Sequence, residues 1–214
     1  MSAAGGGLTE PLLYFHFRKG NENADESVLP PLQISRFLLY REKMQKGGIH
    51  MTETAYFAGG CFWCIKTTFK EMEGVLDVIS GYSGGEEVNP TYADVKYQRT
   101  RHRETICIDF DPAKVTFENL LEIFLSSVDP FDPDGQFIDR GRSYTLAIYH
   151  CSQAQQRAAE TAVRGLEAES GQTVYVSIEP FKSFYPAEEE HQDYYLKHPE
   201  EFRQELIDSG RIQA

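Results

Sequence analysis

Five consecutive residues, Gly60-Cys61-Phe62-Trp63-Cys64, hold two of the four cysteines and the only tryptophan of the chain. Thiols three positions apart lie one helical turn apart, so a bond between Cys61 and Cys64 can close. Cys61 follows Gly59-Gly60 at the end of an expected strand and opens an expected helix. Unpaired backbone N–H groups and the positive end of the helix dipole there favour the thiolate, which is the nucleophilic form. Phe62 and Trp63 offer apolar faces beside the sulfur, on which a thioether or its oxidised methyl group can rest at roughly 0.3–1.5 kcal/mol per contact. The plainer readings are core aromatics and an inert buried thiol; the Gly-Gly approach and the partner at i+3 weigh against the second. A metal site needs two more ligands. Cys107 and Cys151 belong to no second Cys-x-x-Cys or His-x-Cys group, so no metal is expected.

The elements that must hold this block read as follows. Ala55–Ala58 is a short strand, 62–73 a helix ended by Gly74, and 75–82 a strand. Asn89-Pro90-Thr91 starts a short helix running to Tyr97. Residues 104–110 alternate, with Ile106, Ile108 and Phe110 on one face. Thr116 caps a helix carrying Phe117, Leu120, Leu121, Phe124 and Leu125. A loop rich in Asp, Pro and Gly spans 127–142, a type that is usually functional or unstructured. Strands at 144–149 and 173–178 flank a helix that Ser152 and Gln155 open as a capping box and Gly171 ends. Short helices at 187–197 and 199–209 close the chain. The mixture predicts an α+β domain, a two-layer sandwich in which helices flank a mixed sheet, related to the ferredoxin-like folds.

The 214 residues, 41% hydrophobic, suffice for one filled core with an extension. A net charge of -12 argues against nucleic acid and anionic membrane as partners. No apolar run is long enough to span a bilayer, and residues 1–10 lack the positive cluster of a signal peptide, so a cytoplasmic address is expected. Residues 1–50 differ in character: a Gly-rich start, Pro30-Pro31, Gly47-Gly48 and a lone amphipathic stretch, Gln33–Lys46. They read as a flexible extension, and 51–214 as the domain.

Further segments extend the pattern of the first five residues. Gly81-Tyr82-Ser83-Gly84-Gly85, Asn89-Pro90-Thr91-Tyr92, His102-Arg103-Glu104, Gly135-Gln136 with Asp139-Arg140-Gly141 and Tyr144, Phe184-Tyr185-Pro186-Ala187-Glu188 and His191-Gln192-Asp193-Tyr194-Tyr195 follow in order. Together with Gly60–Cys64 they resemble the A-type peptide methionine sulfoxide reductases over roughly 52–200. The resemblance implies reduction of methionine S-sulfoxide, peptide-bound or free, in protein repair under oxidative stress. It implies that Cys61 attacks the sulfoxide sulfur while Glu104 supplies a proton, and that Tyr92 and Tyr144 hydrogen-bond the oxygen. Phe62 and Trp63 would receive the methyl group, Asp139 would order the loop against the substrate, and His191 and Tyr194 would support these groups from behind. Cys61 would become a sulfenic acid. No cysteine follows Cys151, so Cys64 is the candidate to condense with it, the other route being direct reduction by an external thiol with Cys64 as a bystander. Thioredoxin or another dithiol would be the reductant, with no bound cofactor. A monomer is expected. Departures from the family pattern are Lys66 where Glu is common, Arg101 where Gly is usual before His102, and Thr145-Leu146 where Arg-Ser usually follows the tyrosine. Two other readings stay open on the residues alone: a general dithiol-disulfide oxidoreductase of thioredoxin type, and a non-catalytic metal or interaction module.

Overall fold

The computed structural model describes residues 52–213; the expectations for residues 1–50, the Gln33–Lys46 helix among them, lie outside the described residues. In chain order, Glu53–Ala58 (β1) leads through Gly59-Gly60 into Phe62–Lys70 (α1). Val75–Ser83 (β2), Tyr92–Lys96 (α2), Arg103–Phe110 (β3) and Phe117–Ser126 (α3) follow. A two-residue pair, Gly135–Gln136 (β4) and Asp139–Arg140 (β5), precedes a 3-10 turn at Arg142–Tyr144. Leu146–His150 (β6), Gln153–Ser170 (α4), Val176–Pro180 (β7) and Phe184–Pro186 (β8) come next. Tyr194–Lys197 (α5) and Pro199–Asp208 (α6) end the described chain.

Six strands form one mixed sheet in the order β7-β6-β1-β3-β2-β8, with β6 and β7 parallel and the other neighbours antiparallel. The alternation of β3 sorts its residues by face. Ile106, Ile108 and Phe110 pack with Phe57, Val78 and Tyr82 against Phe62, Ile65 and Phe69 of α1 and Leu120, Leu121 and Phe124 of α3. On the other face Tyr56, Ile79, Cys107 and Tyr149 form a smaller cluster under Phe181 and Phe184. This is the expected α+β sandwich. Glu104 alternates with Arg103 and Thr105 and therefore shares the helix-covered face. No described helix is long and apolar enough to cross a membrane.

Local differences from the sequence reading have local causes. α1 stops at Lys70 rather than 73, because Met72 N–H donates to Phe69 O and the chain turns toward Gly74, whose carbonyl accepts from Asp111 N–H. Ser152 caps α4, but Gln155 does not reach back to complete the box: it accepts from Cys151 N–H and donates to Thr54 O, tying the helix to β1. Tyr144 belongs to the 3-10 turn before β6, not to the strand. The strand expected at 173–178 lies at Val176–Pro180, and β8, only three residues long, was not anticipated. The helix expected over 187–197 is broken into a 3-10 turn at Glu189–His191 and α5, with Asp193 between them at φ 50°. His191 and Tyr194 therefore stand on separate elements rather than on one helix.

Candidate active site

Cys61 is the N-cap of α1, and its carbonyl accepts the first helical bonds from Cys64 and Ile65 N–H. Gly60 before it adopts φ +77°, and a Cβ there would come within 2.6 Å of the Gln136 Cβ. Gln136 is fully buried and closes the Asp-Pro loop on itself through Asp129 N–H and Asp129 O. Glycine is thus what lets the loop pack directly against the nucleophile turn. Gly60→Ala is expected to cost about 2–4 kcal/mol from left-handed strain and overpacking together, read as a lowered denaturation midpoint, with a matching fall in activity as Cys61 shifts.

Cys61 and Cys64 are both reduced and buried. The thiol of Cys61 is held well above its ordinary pKa, first by its hydrogen bond with Cys64, then by burial, with the charges of Cys64, Glu104 and Glu205 adding to the effect. This corrects the expectation of a resting thiolate. The helix N-terminus is present, but the Cys64 hydrogen bond, burial and then the nearby charges outweigh a dipole whose influence is confined to the first turn.

Glu104, the second residue of β3, pairs across the sheet with Tyr82 and is only 2% exposed. Its Oε2 accepts the Phe62 N–H at 3.0 Å, so the carboxyl is fastened to the residue next to Cys61. Burial pushes Glu104 up to about 8; the Phe62 bond opposes the shift, while Asp139 and Glu205 reinforce it. The carboxyl therefore holds its proton at neutral pH. Burial also raises the Tyr92 and Tyr144 phenols, with Glu104 as the next cause for both. That shared cause places both hydroxyls in the field of the same carboxyl.

The aromatic groups stack in layers. Phe62 is fully buried against Tyr82 and Tyr92. Trp63 stacks on Tyr194 with centroids 3.9 Å apart, and Tyr92 lies 4.0 Å from His191. Glu188 anchors this side: its carboxylate accepts from the Tyr82 hydroxyl and from Tyr92 N–H, both at 2.8 Å. Lys66, the departure from the family pattern, has partners. Its buried ammonium lies 2.9 Å from Asp193, and it donates to Gln192 Oε1, tying α1 to the turn that presents Tyr194. Burial lowers the Lys66 pKa against the pull of Asp193. Asp139 sits half-buried on β5; burial raises its carboxyl, opposed by Arg211 and Lys96. Three buried polar atoms here, Trp63 Nε1, Asp139 Oδ2 and His191 Nδ1, have no hydrogen-bond partner. Such groups are costly to bury and suit a polar ligand. The structure thus brings Cys61, Cys64, Phe62, Trp63, Glu104, Tyr92, Tyr144, Asp139, His191 and Tyr194 to one side of the sheet.

Glu205 was missed by the sequence reading. It projects from α6, and the Cys61 thiol donates to its Oε1 at 3.5 Å. No motif marks it, because α6 shows only an ordinary Glu-rich surface pattern. Phe202 and Leu206 on the same helix pack with Cys61, Cys64, Trp63 and Tyr194, so α6 seals the thiol pair. Tyr82 and Glu188 were legible only as parts of motifs. Ligand atoms of Cys61, Cys64 and Glu205 lie within 4.8 Å of one another. Two thiols and one carboxylate fall one short of the four ligands of a structural zinc site.

A reactive dithiol next to a proton-holding carboxyl, on an α+β sandwich, defines a thiol-dependent reductase. The profile of the family described as peptide methionine sulfoxide reductase matches residues 53–214. The peptide methionine sulfoxide reductase MsrA of Bacillus licheniformis is 48% identical over 162 residues, 74% of this chain and 89% of that protein. The enzyme of the same name from Picrophilus torridus is 44% identical over 152 residues, 71% of this chain and 86% of that protein. Among solved structures, methionine sulfoxide reductase A of Corynebacterium diphtheriae superposes with a TM-score of 0.64 at 32% identity, covering 72% of this chain and 78% of that one. Mxr1 from Saccharomyces cerevisiae in reduced form gives 0.67 at 26% identity, covering 72% and 89%. The chain belongs to the peptide methionine sulfoxide reductases of the A type. It is an oxidoreductase that reduces methionine S-sulfoxide to methionine with thiols and no prosthetic cofactor, and the thioredoxin-type alternative is set aside.

Proposed function

We propose that Cys61 is the nucleophile, Glu104 the proton donor and Cys64 the resolving thiol. Cys61 sulfur attacks the sulfoxide sulfur, and Glu104 protonates the departing oxygen. Net, the oxygen passes to Cys61, which is oxidised by two electrons to a sulfenic acid, and the thioether leaves reduced. The Cys64 thiol then displaces that oxygen as water and forms the Cys61–Cys64 disulfide. A thioredoxin-like dithiol reduces the disulfide by exchange, restoring both thiols. The observation that carries this reading is the hydrogen bond from the N–H of Phe62, the residue after Cys61, to Glu104, a carboxyl that burial raises to about 8. Phe62 and Trp63 receive the methyl group, Tyr92 and Tyr144 hold the oxygen, and Asp139 accepts from the substrate through its unpaired Oδ2. His191 and Tyr194 keep Tyr92 and Trp63 in place by stacking. Turnover with thioredoxin, thioredoxin reductase and NADPH on each epimer of a blocked methionine sulfoxide tests the reading. Consumption of the S epimer alone is expected; equal use of both, or none, contradicts it.

Cys64→Ser is expected to release one methionine per chain at a near-normal rate and then to recycle at least about tenfold more slowly with thioredoxin, since the sulfenic acid lacks its intramolecular partner. Undiminished steady-state turnover would remove Cys64 from the pathway. Residues 51–214 form the catalytic domain in this reading, and residues 1–50 are an extension outside it. A chain beginning at Met51 is expected to keep kcat/KM within about twofold, whereas a loss beyond tenfold would place the extension in the site. A monomer in the cytoplasm completes the proposal; sedimentation equilibrium and localisation of a fluorescent fusion check these two points.

A further inference from the structure

The Cys61 thiol must lose a proton as it attacks, and the site is arranged to keep that proton on sulfur. Glu104 cannot take it, because its role is to deliver one to the oxygen. The carboxyl hydrogen-bonded to the reacting atom is Glu205, whose Oε1 accepts from Cys61 Sγ at 3.5 Å. Its helix is held by Phe202 and Leu206, which pack against the same sulfur cluster, and Arg211 N–H donates to Leu206 O at the end of α6. Glu205 is thus a half-buried carboxyl that the packing of its own helix holds against the thiol.

We propose that Glu205 is the general base of this reductase, accepting the Cys61 proton as the sulfur–sulfur bond forms. This rests on the reading of Cys61 as the nucleophile. The protons balance over one reduction. The thiol proton moves to Glu205, the Glu104 proton moves to the sulfoxide oxygen, and the oxygen reaches Cys61 as hydroxyl. The proton on Glu205 then replaces the one that Glu104 gave up, so none is gained or lost. Two carboxyls, one bonded to the thiol and one to the Phe62 N–H next to it, thereby divide acid and base work, as paired carboxyls in differing environments do elsewhere.

The groups facing Glu205 fix the expected pH behaviour. Burial raises its carboxyl, with Asp139 on β5 adding to the shift. The bond from Cys61, Arg211 beyond α6 and Lys96 on α2 oppose it. Glu104 on β3 and Tyr194 on α5 feel the same charge. Single-turnover reduction should therefore rise with pH as Glu205 ionises and fall as Glu104 loses its proton near 8. Without Glu205 the thiol loses the smallest of the influences that hold it up but keeps the Cys64 bond and the burial that come first. It still ionises where Glu104 has already lost its proton, so no pH restores the full rate.

The test is single-turnover reduction of a methionine S-sulfoxide peptide across pH by the full chain and by Glu205→Gln, Glu205→Asp and Glu205→Ala, with circular dichroism to verify folding. About 10²-fold loss is expected in Glu205→Gln, with the acid limb displaced upward. Partial recovery is expected in Glu205→Asp, and concentration-dependent rescue of Glu205→Ala by formate. A rate within threefold of the parent, a rise in rate (a side chain that merely plugs the site), or a loss with unchanged pH profile and no formate rescue would each overturn the assignment. Should Glu205→Gln or Glu205→Ala not fold, the pH profile and rate of Glu205→Asp decide alone. Inactivity of the parent chain on the sulfoxide would count against the nucleophile reading itself, a separate outcome.

Discussion

Cys61→Ser is expected to lose sulfoxide reduction by on the order of 10⁴-fold or more, at every pH and with any reductant. The serine hydroxyl ionises far above the thiol and has no sulfur to take the oxygen, so the first step has no substitute. Cys64 cannot stand in, because it lies a turn into α1 and is not the residue fastened beside Glu104 through Phe62 N–H. The substitution is nearly isosteric, and the hydroxyl can still donate to Glu205, so folding stability should change by less than about 1 kcal/mol. Trp63 is the only tryptophan of the chain, which makes intrinsic fluorescence a direct report on the site. Cys61→Ser should therefore still bind a sulfoxide, seen as a saturable fluorescence change, while producing no methionine. Loss of the fluorescence change together with activity would show that the substitution had disturbed the pocket rather than the chemistry.

Glu104→Gln should reduce the single-turnover rate by about 10²–10⁴-fold, the usual value of a positioned general acid. The amide keeps the size of the side chain and can still accept the Phe62 N–H, so a small effect would have no structural excuse. The parent rate should fall as pH rises through about 8, where Glu104 gives up its proton. The variant should lack that limb. Stability should respond in the opposite sense. The folded protein keeps a proton on Glu104 that the unfolded chain releases in the ordinary glutamate range. Stability from that protonation is fully present at low pH and is lost as pH climbs toward and through about 8. A neutral amide escapes this loss. At pH 9 Glu104→Gln should melt at or above the parent temperature while remaining nearly inactive, the exchange of stability for function expected of a buried catalytic acid. Differential scanning calorimetry across pH checks this half of the prediction.

Much of this arrangement could be read from local signals, because several elements are determined by their own residues. Thr91 with Asp94 and Thr116 with Asn119 form reciprocal capping boxes at the starts of α2 and α3. Gly171 ends α4 in the left-handed conformation that a terminal glycine announces. The Gly-Gly-Cys junction and the alternation of β3 likewise placed Cys61 at a helix tip and Glu104 at a strand start. What could not be read depends on distant chain. The ionisation of Cys61 was misjudged because a helix tip is visible in sequence, whereas burial under α6 and the nearness of Glu205 and Glu104 are products of tertiary packing. Glu205 carries no motif, being 144 positions from its thiol partner. The β8 strand owes its existence to pairing with β2 at Gly81–Ser83 rather than to its own three residues. The break between His191 and Tyr194 falls at Asp193, whose carboxylate pairs with Lys66 of α1, a contact between elements far apart in the chain.

Mass spectrometry of the reduced protein after one equivalent of a methionine S-sulfoxide peptide, without any other reductant, tests the central claim most directly. The account predicts one reduced peptide per chain and a Cys61–Cys64 disulfide, with Cys107 and Cys151 still alkylatable after denaturation. Reduction of the peptide with Cys61 unmodified, or with the oxidation lodged on Cys107 or Cys151, would contradict it.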